Sequence, residues 1–428
     1  MGESGNTSVP RSGPQPVTAA LVDEATARLA GVVPPTPLER NESLSSVVGG
    51  EVWLKREDLQ VVRSYKVRGA YNLIAQEQER ARVTGVVCAS AGNHAQGVAW
   101  ACRALGLPAR IYIPGTTPRQ KRDRIRSLGD AFVTLRVVGE TYDDASVEAA
   151  ADAERTGAVL VPAFDDPRTV AGQGTVGAEI LTQLGRAPDR VVVPVGGGGL
   201  LAGLATWLRT AAPEVSTIGI EPAGAACMTA ALAAGGPVRL PTLDPFVDGA
   251  AVRLAGSVTY PLIRDYADDV RTVSEGRVCT EMLRLYQTDG IIAEPAGALA
   301  TAALGDAVRP QPGEVTVCIL SGGNNDVSRY NEVVERSLIH EGLKHYFLVE
   351  FPQEPGALRR FLAEILGPDD DITLFEYVKR IYREFGPALV GLELSRADDL
   401  SPLLDRIKAS PLTCRRLEPD DPVFRFLI

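Results

Sequence analysis

The sequence predicts an α/β protein: a large region built on an open parallel sheet, followed by a small α+β domain. From about Gly85 to Leu320, short β-branched runs alternate with longer alanine-rich stretches of helical period, as a parallel sheet with covering helices requires. Near Ser337 the pattern changes to a β-α-β-β-α unit of roughly 75 residues, a size typical of a small appended domain. With 428 residues, the chain is long enough for both.

Six short apolar runs are predicted to be strands of the large region. Each is followed by a glycine, proline or polar loop and then by a helix-forming segment. Ligands of such sheets bind beyond the carboxyl ends of the strands, where helix N-termini point their amides outward. The predicted strands are Val86–Ala89, Arg110–Pro114, Ala158–Pro162, Arg190–Val195, Thr217–Glu221 and Val315–Leu320.

The C-terminal region is predicted to begin after a connecting helix at Asn331–Leu343. Its elements follow from apolar runs of period two and from amphipathic stretches of helical period. In order they are strand Tyr346–Phe351, turn Pro352–Gly356, helix Ala357–Leu366, an acidic turn at Asp369–Asp371, strands Ile372–Tyr377 and Ala388–Leu394, and helix Leu400–Ala409.

Composition and charge favour small-molecule partners. The formal net charge of −10 and the absence of a basic tract argue against a nucleic-acid-binding surface. The six cysteines are scattered without a C-x-x-C pair, so reduced thiols are expected.

Met1–Pro16 lacks the layout of a secretory signal and is expected to be disordered. No apolar stretch is long enough to span a bilayer. A cytoplasmic protein that does not bind membranes is therefore expected.

Lys66 is the candidate for covalent chemistry. It is one of only six lysines in a chain whose positive charge comes mainly from arginine. A primary amine can form a Schiff base with an aldehyde, whereas a guanidinium stays protonated. By itself, a lysine at the start of a helix is more often a solvated surface charge.

Four consecutive glycines, Gly196–Gly199, lie between the apolar run Val191–Val195 and the helical stretch Leu200–Thr210. Because the turn has no Cβ atoms, backbone amides can converge on an anion, and the helix dipole adds its positive end. The turn is therefore predicted to hold a phosphate group. A glycine linker and a dinucleotide site are the alternatives, although the G-x-G-x-x-G pattern is missing at this turn.

The segment Ser90–Gly97, S-A-G-N-H-A-Q-G, follows a predicted strand and precedes the predicted helix Ala95–Leu105. Such a turn offers amides and a hydroxyl to a carboxylate, with the Asn93 amide near a ring hydroxyl. Simple N-capping by Ser90 or Asn93 is the alternative. His94 is interpreted as a structural residue or one that supports the site from behind, because two further histidines are too few to build a metal cluster easily.

Ser321 ends the predicted strand Val315–Leu320 and begins S-G-G-N-N. At the carboxyl edge of a sheet, its hydroxyl is a neutral donor suited to an unprotonated pyridine nitrogen. A simple turn residue is an equal alternative.

Six motifs follow one another along the chain: S-Y-K-V-R-G-A-Y-N at 64–72, S-A-G-N-H-A-Q-G at 90–97, P-V-G-G-G-G-L at 194–200, D-G-A-A-V at 248–252, E-P-A-G-A-L at 294–299 and S-G-G-N-N at 321–325. In this order they resemble the fold-type II pyridoxal-phosphate (PLP) enzymes, and most closely the threonine dehydratase (threonine ammonia-lyase) branch. The resemblance covers the chain from about Val17 to its end. It implies a fold like the tryptophan synthase β subunit, with two open α/β subdomains.

The resemblance also implies roles for the candidate residues. Lys66 would be the Schiff-base lysine and, with Ser321 at the pyridine nitrogen, a catalytic residue. The remaining implied contacts are Asn93 to the cofactor 3-hydroxyl, Gly196, Gly197, Gly198, Gly199 and Leu200 to its phosphate, Glu294 near its ring, and Ser90, Ala91, Gly92 and Asn93 to the substrate carboxylate. The implied reaction is deamination of L-threonine to 2-oxobutanoate and ammonia, the first step of isoleucine biosynthesis, in a homotetramer.

The segment H-Y-F-L-V-E-F-P-Q-E-P-G-A-L at 345–358 resembles the opening of the ACT-like regulatory module of threonine dehydratases. We therefore expect a PLP-dependent catalytic domain at 17–343 and one ACT-like domain at 344–428, after a disordered segment at 1–16. Feedback inhibition by isoleucine is the implied function, and oligomer packing alone is the alternative. Arg380–Gly386 departs from the polar pattern of this branch, which puts isoleucine sensitivity in doubt.

Two other classes of function stay open from sequence. Another fold-type II enzyme, such as a serine dehydratase, a racemase or a sulfhydrylase, would share the cofactor loops. A non-enzymatic amino-acid sensor would share the fold, but it would have no need of Lys66, Asn93 and Ser321 together.

Overall fold

The computed structural model describes residues 16–377, 384–418 and 421–427. Residues 1–15 of the predicted disordered segment Met1–Pro16 lie outside the described residues. So do residues 380–383 of Arg380–Gly386, the segment that departs from the family pattern. The chain forms two compact units. One runs to Val273 and includes Ile292–Asn325, and the other comprises Ser274–Ile291 and the chain from Asp326. The domain limits at 343 and 344 remain a prediction.

The strands of the described residues form three sheets. In chain order they are β1 (Leu38–Arg40), β2 (Glu51–Arg56), β3 (Val86–Ala89), β4 (Ala109–Ile113), β5 (Val133–Val137), β6 (Val159–Leu160), β7 (Arg190–Pro194), β8 (Ser216–Pro222), β9 (Asp269–Val273), β10 (Val315–Leu320), β11 (Lys344–Pro352), β12 (Asp371–Tyr377), β13 (Phe385–Glu393) and β14 (Thr413–Leu417).

The helices pack around these sheets, and no helix of the described residues is long and apolar enough to cross a membrane. They are α1 (Ala19–Leu29), α2 (Glu42–Val48), α3 (Lys66–Gln76), α4 (Gln78–Thr84), α5 (Asn93–Leu105), α6 (Arg119–Gly129), α7 (Tyr142–Thr156), α8 (Pro167–Leu184), α9 (Gly199–Ala211), α10 (Cys227–Ala234), α11 (Thr259–Tyr266), α12 (Glu275–Asp289), α13 (Pro295–Ala302), α14 (Tyr330–His340), α15 (Ala357–Arg360) and α16 (Leu400–Ala409).

The first unit contains two sheets, which confirms the two α/β subdomains. One sheet has the parallel order β5-β4-β3-β6; the other has the order β1-β2-β10-β7-β8-β9, in which only β1 is antiparallel within the described residues. Strand β10 lies between β2 and β7, and all its residues are buried, as expected for a central parallel strand. The predicted strand Ala158–Pro162 is shorter than expected, with Val159–Leu160 alone in the ladder.

The loops singled out from sequence follow three strand ends. Ser90 follows β3, the glycine turn follows β7, and Ser321 follows β10. These are the carboxyl ends at which parallel sheets bind ligands. The fold therefore gathers the predicted loops at strand ends, as the alternating pattern indicated.

Glycines let the helix that starts at Lys66 approach α8 closely. A Cβ at Gly172 would lie 2.6 Å from the Gly69 Cα, so the backbones of α3 and α8 touch at this point. Gly172 begins G-Q-G-T-V-G at 172–177, which has the dinucleotide-binding spacing but lies within α8 rather than at a strand-to-helix turn. In this chain the pattern serves helix packing.

The second unit is built on an antiparallel sheet of order β12-β13-β11-β14. Phe347, Phe351 and Phe361 are buried in its core, against residues of α16 such as Leu403. The predicted β-α-β-β-α order is confirmed, and the sequence missed the last strand, β14. The predicted helix Ala357–Leu366 is α-helical only to Arg360 and continues as a π-helical segment.

The same unit includes α12 and α14. The hydroxyls of Thr280 on α12 and Ser337 on α14 lie 2.9 Å apart. A Cβ at Gly276 would lie 2.6 Å from the Cβ of His340, so the two helices pack closely. The connecting helix predicted at Asn331–Leu343 is confirmed in position as α14.

The cysteines carry no disulfide. All six lie in the described residues, where none forms a disulfide, and all but Cys414 are buried. Burial raises the pKa of each of the four thiols Cys88, Cys227, Cys279 and Cys414. They are core thiols, as the scattered spacing predicted.

Candidate active site

Lys66 is the first residue of α3 and is half-buried. Its Nζ donates a hydrogen bond to the Ala163 carbonyl, at 2.9 Å, and lies 5.2 Å from the centroid of the Tyr65 ring. Phe164, the residue after Ala163, packs on the glycine turn. The amine therefore bonds the residue next to the one that contacts this turn, and it faces protein rather than bulk solvent.

The glycine turn has no room for side chains. A Cβ at Gly197 would overlap the Phe164 ring, and one at Gly196 would lie 2.9 Å from the Ala250 Cα. Gly198 has φ 90° and precedes α9, whose N-terminal amides have no side-chain cap among the described residues. A cradle of this kind fits a phosphate, because amides and the helix dipole act on the anion without a side chain between them.

The loop after β3 leads directly into α5. The helix begins at Asn93, two residues earlier than predicted, with Gly92 as its N-cap. The Ser90 hydroxyl accepts a hydrogen bond from the Gly92 N–H at 3.2 Å, and no side chain caps the helix. The capping alternative for Ser90 and Asn93 is thus wrong, which leaves the Asn93 amide for another partner.

That partner is Glu294. Asn93 donates from Nδ2 to Glu294 Oε1 at 2.5 Å, and Asn93 Oδ1 accepts from Asn324 Nδ2 at 2.8 Å. A Cβ at Gly322 would overlap the Glu294 carboxylate, so this glycine makes the contact possible. Burial raises the pKa of Glu294 to about 7, and the carboxylate of Asp248 adds to the rise.

The motif D-G-A-A-V at 248–252 forms one wall of this region. Its Asp248 accepts from Lys121 Nζ on α6 at 2.6 Å. A Cβ at Gly249 would lie 2.8 Å from the Ala296 Cβ, next to Glu294. The motif therefore joins the glycine turn, through Ala250, to the segment that carries Glu294.

Ser321 is buried at the end of β10, and its hydroxyl donates to the Ala296 carbonyl at 3.3 Å. Its own carbonyl accepts from the Tyr65 N–H at 3.2 Å, and the Gly323 N–H donates to the Arg63 carbonyl at 2.9 Å. The residues before Lys66 are thus paired with the Ser321 loop. The structure brings the predicted Lys66, Ser321, Asn93 and Glu294 into one connected region.

His94 has a structural role, as predicted. It is buried, and its Nε2 lies 2.8 Å from the Val161 carbonyl. Because a carbonyl can only accept, Nε2 carries the proton. Burial, with a smaller contribution from the charge of Lys66, lowers the pKa of His94 to about 4, so the imidazole is neutral near pH 7.

Three contributors were missed from sequence. Phe164 had no local signal, since a lone aromatic after an apolar strand is usually a core residue. Lys121 stands in a basic helix, where a solvated charge is the ordinary interpretation. Asn324 lies inside the motif S-G-G-N-N, but only Ser321 of that motif received a role.

Comparison with known proteins identifies the family. A family model described as "Pyridoxal-phosphate dependent enzyme" matches residues 29–322, and one described as "C-terminal regulatory domain of Threonine dehydratase" matches residues 335–427. The biosynthetic L-threonine dehydratase of Mycobacterium bovis is 59% identical over 414 residues, which is 96% of each chain. The chain belongs to the biosynthetic threonine dehydratase family. It is a PLP-dependent lyase, as the six motifs predicted.

Solved structures agree with this assignment. The processed form of threonine deaminase isoform 2 from Solanum lycopersicum is 38% identical, with a TM-score of 0.69. The match covers 77% of this chain and 99% of that one. Maize serine racemase is 31% identical with a TM-score of 0.70, covering 76% of this chain and 99% of that one. The catalytic fold is shared by both, and the matched regulatory domain implies an amino-acid effector for this chain.

The raised pKa of Glu294 predicts a pH-dependent stability of the cofactor-free protein. In the unfolded chain this carboxyl titrates near 4.5, and in the folded protein near 7. Between these values the folded state holds one proton more at this carboxyl, so the contribution of Glu294 to the free energy of unfolding falls as pH rises, by about 1.4 kcal/mol per pH unit. We expect Glu294→Gln to remove this slope, measured by urea unfolding from pH 4 to pH 8.

The control is Glu24→Gln, which removes one exposed carboxylate from α1 and should keep the wild-type profile. A Glu294→Gln profile parallel to that of the wild type over the whole range would contradict the buried, neutral carboxyl.

Proposed function

We propose that the chain deaminates L-threonine to 2-oxobutanoate and ammonia, the first step of isoleucine biosynthesis. The observation that carries this is the connected set of Lys66, the glycine turn, Asn93 and Ser321, in a chain with the threonine dehydratase regulatory domain. A homotetramer in the cytoplasm is proposed from the family alone.

PLP, when bound, withdraws electrons from the substrate Cα and so makes its proton acidic. In our proposal the Lys66 amine would hold the cofactor aldehyde covalently and, once the amine of threonine had replaced it there, would accept the Cα proton. Its place at the start of α3, 2.9 Å from the Ala163 carbonyl, supports this role because a fixed amine needs little reorganisation.

The other residues would orient the reacting groups. Gly196–Leu200 would hold the phosphate, and Asn93 would donate to the ring hydroxyl. The Ser321 hydroxyl would turn from the Ala296 carbonyl to the pyridine nitrogen, as a neutral donor. Ser90–Gly92 would bind the substrate carboxylate, since these residues precede the N-terminus of α5 and a Cβ at Gly92 would meet no neighbour.

The effector is proposed to be isoleucine, bound in a cavity of about 400 Å³ in the second unit. Its walls include Phe351, Leu358, Leu362 and Phe375, which suit a branched aliphatic side chain. Gln353 also lines the cavity, and its Nε2 is buried without a hydrogen-bond partner among the described residues. It is therefore a donor suited to the effector carboxylate.

Turnover with threonine and serine tests the reaction. We expect 2-oxoacid formation with a higher kcat/KM for threonine. Lys66→Arg keeps the charge but cannot form an imine, so it should reduce turnover by several orders of magnitude with little change in melting temperature. Lys408→Arg, at an exposed lysine of α16, is the matched control and should remain active.

Equal or better turnover of serine, or racemisation without oxoacid, would reassign the substrate to the serine enzymes that share this fold. An active Lys66→Arg would reject the amine role itself.

Isoleucine binding tests the regulatory site. Leu362→Glu places a carboxylate in the apolar wall, facing a ligand that also carries one. We expect its affinity for isoleucine to fall by about tenfold or more in calorimetric titration, with loss of inhibition. Val147→Glu, at an exposed valine of α7, is the control. Unchanged binding in Leu362→Glu would place the effector elsewhere.

A further inference from the structure

We propose that Asn324 is a positioning residue that fixes which end of the Asn93 side-chain amide faces the cofactor. Asn324 is itself oriented by its hydrogen bond to the main-chain carbonyl of Val62. The inference rests on the proposed contact between Asn93 and the cofactor, and it adds the reason why Asn93 presents a donor there.

The orientation follows from what each atom can do. Asn324 has one side-chain atom 2.8 Å from the Val62 carbonyl oxygen, and a carbonyl can only accept, so that atom is Nδ2. The same Nδ2 lies 2.8 Å from an atom of Asn93, which must therefore be the acceptor Oδ1. The other end of Asn93 is then Nδ2, which donates to Glu294 at 2.5 Å.

The Val62 carbonyl is held in place by the surrounding backbone. Val62 is fully buried, and Arg63, next to it, has φ 57° and accepts from the Gly323 N–H at 2.9 Å. The ladder between residues 62–65 and 321–324 therefore continues through the Asn324 side chain. Both amide hydrogens of Asn324 are used, one by Val62 and one by Asn93, so rotation of its amide would lose both bonds.

Glu294 alone cannot fix Asn93. A carboxylate accepts from Asn93 Nδ2, but a protonated carboxyl can also donate, to Asn93 Oδ1, and would then hold the amide reversed. Burial raises the pKa of Glu294 to about 7, with Asp248 raising it and Lys121 lowering it, so both forms are populated near neutral pH. Asn324 is the contact that keeps one orientation in both. The second N–H of Asn93 is then available to an oxygen on the cofactor ring.

The test compares two substitutions of different kind. Asn324→Asp keeps the size but offers only acceptors, so it repels Asn93 Oδ1 and favours the reversed amide. Asn324→Ala removes the side chain. We expect Asn324→Asp to weaken PLP binding by about tenfold or more, and to weaken it more than Asn324→Ala does. The measurement is titration of the cofactor-free protein by visible absorbance, with circular dichroism as the check on folding.

If Asn324 only filled space, the order would reverse, because aspartate is nearly isosteric with asparagine. That order, or wild-type affinity in Asn324→Asp, would overturn the inference. Asn325→Asp and Asn325→Ala are matched controls: this neighbour donates to the Ala293 carbonyl, at 3.3 Å, and not to Asn93, so we expect either change to alter PLP affinity less than the same change at Asn324.

A double-mutant cycle isolates the path through Asn93. In an Asn93→Ala background, Asn324→Ala should change PLP affinity by less than about twofold further, because its partner is gone. Equal costs in both backgrounds would mean that Asn324 acts independently, and would overturn the inference even if Asn324→Asp failed to fold. Wild-type affinity in Asn93→Ala alone would instead reject the cofactor contact of the proposed function.

Discussion

The backbone pairing of residues 62–65 with 321–324 is the constraint on which the site depends. The Tyr65 N–H donates to the Ser321 carbonyl, and the Gly323 N–H donates to the Arg63 carbonyl. This pairing attaches the residue before the lysine helix to the end of β10, the strand between β2 and β7. Because the glycine turn follows β7, the position of the amine relative to the turn and to Ser321 is set by main-chain hydrogen bonds rather than by flexible side chains. That is the preorganisation a covalent cofactor site requires.

A buried ionic cluster also fixes α3, the helix that begins at Lys66. Arg68, two residues after Lys66, is 1% exposed and donates to both Glu57 and Glu179; Lys55 donates to Glu179 as well. Two cations thus meet two carboxylates. Such a cluster adds little net stability, but removal of one partner from a buried pair costs about 3–5 kcal/mol. The cluster joins α3, β2 and α8, because Arg68, Lys55 and Glu179 lie on these three elements.

Sequence could predict the parts of the site that depend on local chemistry. Gly196–Gly199, Ser321 and Lys66 became candidates from their own segments: a turn without Cβ atoms, a hydroxyl at a strand end, an amine at a helix start. For Lys66 and Ser321 the segment alone left a surface charge and a turn residue open, and the order of the six motifs implied their roles. Strands β1, β5 and β9 were missed because edge strands carry polar residues that break the apolar pattern. The interior strand β2 was missed because charged residues stand at both of its ends. Asn324 and Phe164 were missed for a different reason. Their roles come from contacts with residues far away in sequence, such as Asn93, and no spacing rule reports those.

In the proposed function the amine at position 66 is the one that carries the cofactor. Reduction of the PLP-loaded enzyme with borohydride turns the imine into a stable secondary amine, and peptide mass mapping then identifies the labelled lysine. We expect one phosphopyridoxyl group per chain, on the peptide that contains Lys66, with the other five lysines unmodified. A label on Lys55 or Lys121, with Lys66 unmodified, would contradict the role of Lys66 as the lysine that carries the cofactor.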